Sequence, residues 1–540
     1  MTYSIVDLFA GAGGLSLGFL ETGEFAVKAF VENNKNARET YLKNHNSVKE
    51  YTNVIGLDYS TLIQECGRID VVVGGPPCQG FSNANRQKNQ LINMNNQLVK
   101  EYVRAICELQ PKVFVMENVK MLKSDVHMFY YTEDDEASGI IQKYSIILKD
   151  KVLSLLSESS SSDDLFKACQ VKELREKMQI SENAYSLLTN LNRYTGNLPK
   201  MRMKYEKSKS AYLGVCKEIS SKDYAGVPES VRDHYLLLSE QIHEYGESFS
   251  AENLISELSH VVEIQQLLRS IDELTEKRIV FTLSNEKGIK ANLKSYSVCD
   301  YIRKTLSSPE NNYQITQGIL NAAEFGAPQK RQRFIMIGVK DGKDLDVSLP
   351  KGEFTEENFR TVRDAIEDLE EVPVEYDVTG KSVQVTLKAY DPQSLQSELR
   401  DSTQIHNHIT TRSREVALSR FAALKQGENF HNLSLEMKEN TYTDITRTQN
   451  TIYQRLNYDA PSGTVLNVRK SMWIHPILDR AVSIREAARL QTFPDSYVFC
   501  GTKDAQYQQI GNAVPPILGR AIAEKIISLL KMKEKSYEKS

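Results

Sequence analysis

The sequence predicts an α/β protein built on a mostly parallel sheet, and three observations carry that reading. Short apolar runs of strand length recur at 3–9, 25–33, 69–73, 112–116 and 333–339. The first of them breaks in a glycine-rich turn that leads into helical apolar spacing. Segments with helical spacing also separate the early runs, an alternation that lays strands side by side in one direction.

Taken in order, residues 3–9 (YSIVDLF) form the first strand. In "AGAGGLSLGF" Gly11, Gly13 and Gly14 end it, and Leu15, Leu17, Phe19 and Leu20 mark a helix. The second strand, 25–33, ends on Glu32, about 20 residues past the turn, where a dinucleotide-type fold places an acid for ribose hydroxyls. Asp58, in "GLDYS" near the third strand, is a second such acid. The glycine spacing departs from G-x-G-x-x-G and alone would suit any tight βα turn. With both acids it points to an adenosine-containing ligand at the carboxyl ends of the strands. The sequence has no G-x-x-x-x-G-K-[ST] segment, which disfavours ATP hydrolysis.

The run at 69–73 passes into "GGPPCQGFS", so Pro76, Pro77 and Cys78 stand just beyond a strand end. Two prolines fix φ and pre-position the thiol. A cysteine attacks as its thiolate, and a free pKa of about 8.5 leaves little of it ionised unless the site helps. The following strand ends in "VFVMENV", which brings Glu117 and Asn118 to the same rim. Singly, a buried thiol in a turn or a helix-capping glutamate would explain each group. Together they frame a pocket holding a cysteine and an acid.

The 540 residues are 40% apolar with a net charge of −4, a globular composition with room for roughly three domains. The N-terminus lacks a basic segment followed by a long apolar one, and no apolar run reaches the roughly 18 residues of a membrane helix. A cytoplasmic protein without a membrane partner is expected. Seven cysteines include no C-x-x-C pair, which argues against a disulfide framework and a zinc knuckle, and no metal is expected. The overall charge leaves nucleic-acid binding open, because binding needs a local basic surface and not a basic total.

Six stretches, in order, resemble the motifs of the DNA (cytosine-5)-methyltransferases. "DLFAGAGGLSLGF" (7–19) is similar to the family's cofactor motif, "GGPPCQGFS" around Cys78 to its nucleophile motif and "ENV" (117–119) to its catalytic acid motif. "QKRQRFIMIGV" (329–339) matches its Q-x-R-x-R segment, "REAARLQTFP" (485–494) its penultimate motif and "QIGNAVPP" (509–516) its last. The resemblance spans residues 3–124, 311–340 and 450–530. It implies a Rossmann-like methyltransferase domain that uses S-adenosyl-L-methionine on double-stranded DNA. The Cys78 thiolate would add to C6 of a flipped-out cytosine, which makes C5 nucleophilic toward the sulfonium methyl. Glu117, with Asn118 beside it, would hold or protonate N3. Arg331 or Arg333 would bond the ring carbonyl or the backbone, with Arg333 assigned to the base. The resemblance also places Phe9, Ala10, Gly11, Ala12, Gly13, Gly14, Glu32, Asp58, Pro77, Asn512 and Val514 around the cofactor. Gln79, Ser82, Gln329 and Thr464 fall to the target loop and the flipped base, with Thr464-Val465 similar to the family's Thr-Leu pair.

The catalytic core is thus expected at 1–124, 306–340 and 476–530, interrupted by an insertion at 125–305 and a target-recognition domain at 341–475, with a charged tail at 531–540. The insertion carries helical spacing and a solvated linker "ESSSSDD" (158–164); its "KMRMKYEKSKSAY" (200–212) interleaves basic residues with tyrosines, as suits either phosphate contact or a solvated helix face. In the recognition region "HNH" (406–408) lacks the context of a metal site, and "TRSRE" (411–415) is the better phosphate contact. The expected function is sequence-specific DNA cytosine-5 methylation in restriction-modification or defence, with a cognate restriction or defence protein as a candidate partner. Two alternatives are the same chemistry on transfer RNA, which fits less well with so large a recognition region and insertion, and a catalytically inactive DNA-binding relative, disfavoured by the presence of Cys78, Glu117, Arg331 and Arg333.

Overall fold

The computed structural model describes residues 2–77, 96–119, 128–248, 251–343, 345–378, 380–386, 390–438 and 448–537. Cys78, Gln79 and Ser82 lie outside the described residues. The described chain divides into two compact units, 128–301 and the rest.

The strands in chain order are β1 (Tyr3–Leu8), β2 (Phe25–Val31), β3 (Lys49–Tyr51), β4 (Val71–Gly74), β5 (Val113–Val119), β6 (Met128–Tyr130), β7 (Lys149–Ser154), β8 (Phe281–Asn285), β9 (Ile289–Ser297), β10 (Tyr313–Asn321) and β11 (Gln332–Lys340). Between the early strands run α1 (Gly14–Leu20), α2 (Lys35–Asn44), α3 (Tyr59–Cys66) and α4 (Asn96–Leu109). Seven strands form one sheet in the order β10-β11-β5-β4-β1-β2-β3, parallel from β3 to β5 and antiparallel at β11 and β10. This is the α/β architecture the strand runs imply. β1 and β4 are wholly buried, so they read as near-continuous apolar runs. The strand order departs in opposite directions from β1, which makes the carboxyl ends of β1 and β4 the switch point where ligands lie in open sheets.

Two strands of this sheet have no apolar run to announce them. β3 is three residues long, and β10 is a partly exposed edge strand whose Gln314, Thr316 and Gln317 dilute its period. The sheet is closed from behind by the helix Pro516–Tyr537, which crosses α1 backbone to backbone: a Cβ on Gly18 would stand 2.3 Å from the Pro516 carbonyl oxygen. The described residues of 341–475 are mostly irregular; the pairing of Val383–Gln384 with Gln404–Ile405 is brief, and Phe421, Leu424, Phe430 and Tyr453 form a small core of their own.

The unit 128–301 holds the expected helices, among them Leu198–Lys207, Lys209–Ser220, Glu229–Ser248 and Glu252–Glu276. It also holds an antiparallel sheet in which β9 pairs with β6, β7 and β8. The sequence does not announce these strands, because Asn, Lys and Ser interrupt their apolar positions. The serine-rich stretch begins a helix as well as linking elements: Ser162 accepts from the Leu165 amide as N-cap of Asp163–Gln170. Among the described residues no helix is long and apolar enough to cross a membrane, and no cluster of His, Cys, Asp and Glu is placed to hold a metal.

Candidate active site

At the end of β1 the backbone turns through left-handed conformations at Phe9, Gly11 and Gly13 (φ 58°, 54° and 82°). Glycine takes two of these steps without steric cost, and Phe9 takes the strained one. Hydrogen bonds fix the turn: the Ala10 amide to Val31 (3.2 Å), the Gly13 amide to Ala10 (2.9 Å) and the Gly11 amide to Glu32 Oε2 (2.9 Å). Glu32 Oε1 accepts from the Asn34 amide at 2.8 Å, so this acid ties the glycine turn to the end of β2. A Cβ on Gly14 would stand 2.3 Å from the Val514 carbonyl oxygen, so the last motif closes against the turn, and the Tyr497 hydroxyl donates to the Ala12 carbonyl. Among the described residues the side above Gly11 is open, with nothing within 4 Å of the place a Cβ would take. A small-residue turn with one open face, flanked by an acid, is a fitting cradle for an adenosine-containing cofactor.

Other residues expected near the cofactor have local tasks. Asp58 is exposed and caps α3, accepting from the Ser60 amide (2.9 Å) and from the hydroxyls of Ser60 and Thr61 (2.6 Å each), which hold its carboxyl down to about 2. Asn512 is exposed at the end of the helix Lys503–Asn512, where it accepts from Gln508. Behind the turn lies a group the motifs did not single out: burial pushes the Asp7 carboxyl up to about 7 in spite of hydrogen bonds from Ser16 and Tyr41.

Beyond β4 the described turn is Gly75-Pro76-Pro77. Glu117 and Arg333 meet beside it, Oε1 to Nε 2.7 Å, both largely buried. A Cβ on Gly75 would stand 2.7 Å from Glu117 Oε2, so the chain leading to Cys78 passes against the carboxylate. Asn118 Nδ2 donates to the Pro76 carbonyl at 2.9 Å, so this side chain positions the proline turn. Burial raises the Glu117 carboxyl above its ordinary range, opposed by the charges of Arg333 and then Arg331. Burial lowers Arg333, and Glu117 works against that.

Arg331 goes elsewhere. Fully buried, it donates from Nη1 to Val465 and from Nη2 to Gly511 and Ala513, all at 2.8 Å to backbone carbonyls. Of the two arginines, the one that meets Glu117 is Arg333. Gln329, also buried, donates to the Leu490 carbonyl and the Gln491 side chain and accepts from the Val465 amide, while Gln491 reaches the Ile510 carbonyl. The Q-x-R-x-R segment, Thr464-Val465 and both closing motifs are thereby one polar junction. Thr464 itself is half-buried, its hydroxyl donating to the Lys330 carbonyl at 3.0 Å.

Sequence reasoning missed the buried ion network beside this junction, in which Arg489 and Arg400 each bond Asp495 and Asp368. Its one signal was the pair Arg485 and Arg489, four apart in "REAARL" and so on one helix face. The "HNH" residues are scaffold: Asn407 bonds Phe499 and Gln506, and buried His408 bonds Ser483 and the Val372 carbonyl.

Comparison with known proteins gives the family. The chain is 25% identical over 539 residues to the type II methyltransferase M.DdeI of Desulfomicrobium norvegicum, covering 97% of this chain and 88% of the relative. It is 25% identical over 534 residues to M.AgeI of Thalassovita gelatinovora, covering 96% and 98% respectively. A prophage-encoded DNA modification methyltransferase (E. coli) shares the fold, with a TM-score of 0.52 at 19% identity over 98% of this chain and all of that one. The family model described as C-5 cytosine-specific DNA methylase matches residues 3–133 and 265–528, and the chain belongs to that family of enzymes.

Proposed function

We propose that this protein methylates C5 of a flipped cytosine in a specific duplex sequence through a covalent bond between Cys78 and C6, as part of a restriction-modification system. The observation that supports it most is the Glu117–Arg333 pair against the Gly75–Pro77 turn, which sets an acid and a cation at the base of the segment carrying the thiol.

S-adenosyl-L-methionine, implied by the family, supplies an electrophilic methyl when bound. Phe9 to Gly14, with Glu32, would hold its adenosine end, and Asp58, Pro77, Asn512 and Val514 would border it. Cys78 adds to C6, the ring electrons pass to C5, and Glu117 holds or protonates N3 as charge builds there. Arg333 orients Glu117 and offers its remaining N–H groups to the ring carbonyl. Once C5 carries the methyl, loss of its proton and departure of Cys78 restore the aromatic ring. Asn118 and Arg331 act as positioning residues, the first on the proline turn, the second on the backbone of the closing motifs. Gln79 and Ser82 belong to the loop over the target, Thr464 stands near the flipped base, and residues 341–475 read the sequence.

The test is transfer of labelled methyl from S-adenosyl-L-methionine to mixed-sequence duplex DNA, with a transfer-RNA pool in parallel and Cys78→Ala as control. Label in DNA at one short motif, absent with Cys78→Ala, is the expected result. Label in RNA alone would overturn the DNA reading, and label that survives Cys78→Ala would overturn the covalent one.

A further inference from the structure

The second unit separates its charges. Residues 193–217 hold seven basic residues and one acidic residue, whereas the rest of 127–301 holds 15 basic and 26 acidic. The structure sorts this stretch by side. Tyr205 and Tyr212 point into the core and stack on each other with ring centroids 5.4 Å apart, so they are withheld from nucleobases. Arg193, Lys207, Lys209 and Lys217 are exposed, and none has an ion-pair partner among the described residues. Between the lysines of Lys209–Ser220 the surface is low: Ser210, Ala211 and Gly214 are exposed, and a Cβ on Gly214 would meet nothing within 4 Å among the described residues.

We propose that this face is a second DNA-contacting surface, one that holds duplex phosphates without reading sequence. The inference rests on the DNA reading above. Lys209 and Lys217 lie about 12 Å apart along their helix at ~1.5 Å per residue. That span meets several phosphates of one strand, which recur every ~3.4 Å along the duplex. A low surface between flanking cations lets a sugar-phosphate chain approach, and burial of the tyrosines leaves charge as its means of binding. Leu198 and Met203 are exposed on the neighbouring helix Leu198–Lys207, so an acidic protein segment is the rival occupant.

The experiment uses the full chain and the variant Lys207→Gln/Lys209→Gln/Lys217→Gln, with binding to duplexes of unrelated sequence measured across salt concentration. The variant should bind every duplex roughly a hundred- to a thousandfold more weakly near ~0.1 M salt, with a salt slope smaller by about 2 to 3. Its affinity for S-adenosyl-L-methionine and the motif it methylates should be those of the parent. Unchanged affinity and slope would overturn the proposal, as would a loss confined to one sequence. Binding of a poly-glutamate probe that depends on the three lysines, with DNA binding intact, would assign the face to an acidic protein. A parent protein that neither binds nor methylates duplex DNA would overturn the DNA reading itself, and is told apart from failure of this inference by that parent measurement.

Discussion

The switch-point edge of the large sheet and the 128–301 unit are held together by different means. At the edge, backbone meets backbone at Gly14 and Val514, and buried Gln329 and Arg331 are spent on named carbonyls. In the unit, Leu254, Leu258, Val261, Leu267 and Leu268 of one helix pack into an apolar core shared with several others. Contacts of the first kind admit one residue type; contacts of the second admit any apolar side chain of similar volume. The family match covers 3–133 and 265–528, so the stretch it passes over, 134–264, lies wholly within the 128–301 unit.

The largest expected effect breaks the comparison at its chemical end. Glu117→Gln keeps the size and a hydrogen bond to Arg333 but removes the negative charge and the acid. Methyl transfer should fall by about 10²- to 10⁴-fold with little change in melting temperature, read by label transfer and thermal unfolding. A loss of stability as large as the loss of activity would instead make the pair a structural ion bridge.

The next effect tests the polar junction. Arg331→Ala leaves three backbone carbonyls without their donor, each costing about 1–3 kcal/mol when buried. Melting temperature and cofactor affinity should fall together, because Gly511 and Ala513 adjoin Val514. Leu267→Ala in the other unit should cost a comparable ~2–5 kcal/mol of that unit's stability. It should leave cofactor affinity intact. Equal loss of cofactor affinity in both variants would erase the distinction between the two regions.

The same distinction decides what could be read from sequence. β1, β4, β5 and β11 were legible because strands buried on both faces are near-continuously apolar, β2 because only Lys28 interrupts its apolar run, and the glycine turn because Gly11 and Gly13 need positive φ. Glu32 and Glu117 were singled out by their positions at strand ends; that Glu32 bonds the Gly11 amide and that Glu117 meets Arg333 are seen only in the structure. The resemblance assigned Arg333 to the base, but spacing alone does not encode the enclosure of Arg331: the two lie two residues apart, and the paths of residues 465 and 511–513 decide which one is enclosed. The ion network of Arg400, Arg489, Asp368 and Asp495 joins positions up to 127 residues apart, and no local period encodes such a partnership.

Acid should reveal a further difference. Burial pushes His408 and His475 down to about 4, and Glu486, between them, is held below its ordinary range by Arg480 in spite of burial. Unfolded imidazoles take protons near 6.5, so between pH 6.5 and 4 these two groups bind more protons in the unfolded chain, whereas Asp7 and Glu21, both raised to about 7 by burial, bind more in the folded one. The share of stability that the two neutral imidazoles contribute is therefore lost as pH falls through that window, and the depressed Glu486 carboxyl adds a loss in the same direction below about 4.5. His475→Asn retains an acceptor for the Ile477 and Leu478 amides, which His475 Nδ1 serves. It should flatten the dependence of unfolding free energy on pH by up to about 1.4 kcal/mol per pH unit between pH 4 and 6.5. An unchanged slope would place the acid sensitivity elsewhere.

The smallest effect has opposite signs in the two regions. Gly18 and Gly214 both sit in helices, and each pays the backbone entropy of glycine there, about 0.5–1 kcal/mol against alanine. At Gly214 the added methyl meets open space, so Gly214→Ala should stabilise its unit by about that amount. At Gly18 the methyl would stand 2.3 Å from the Pro516 carbonyl oxygen and 2.4 Å from the Arg520 nitrogen, so the helices must part and the propensity gain is overrun. Unfolding of the two single variants by denaturant should show one midpoint rising and the other falling. If both rise, α1 and the helix Pro516–Tyr537 can slide apart without loss, and close backbone contact is not what closes the catalytic edge.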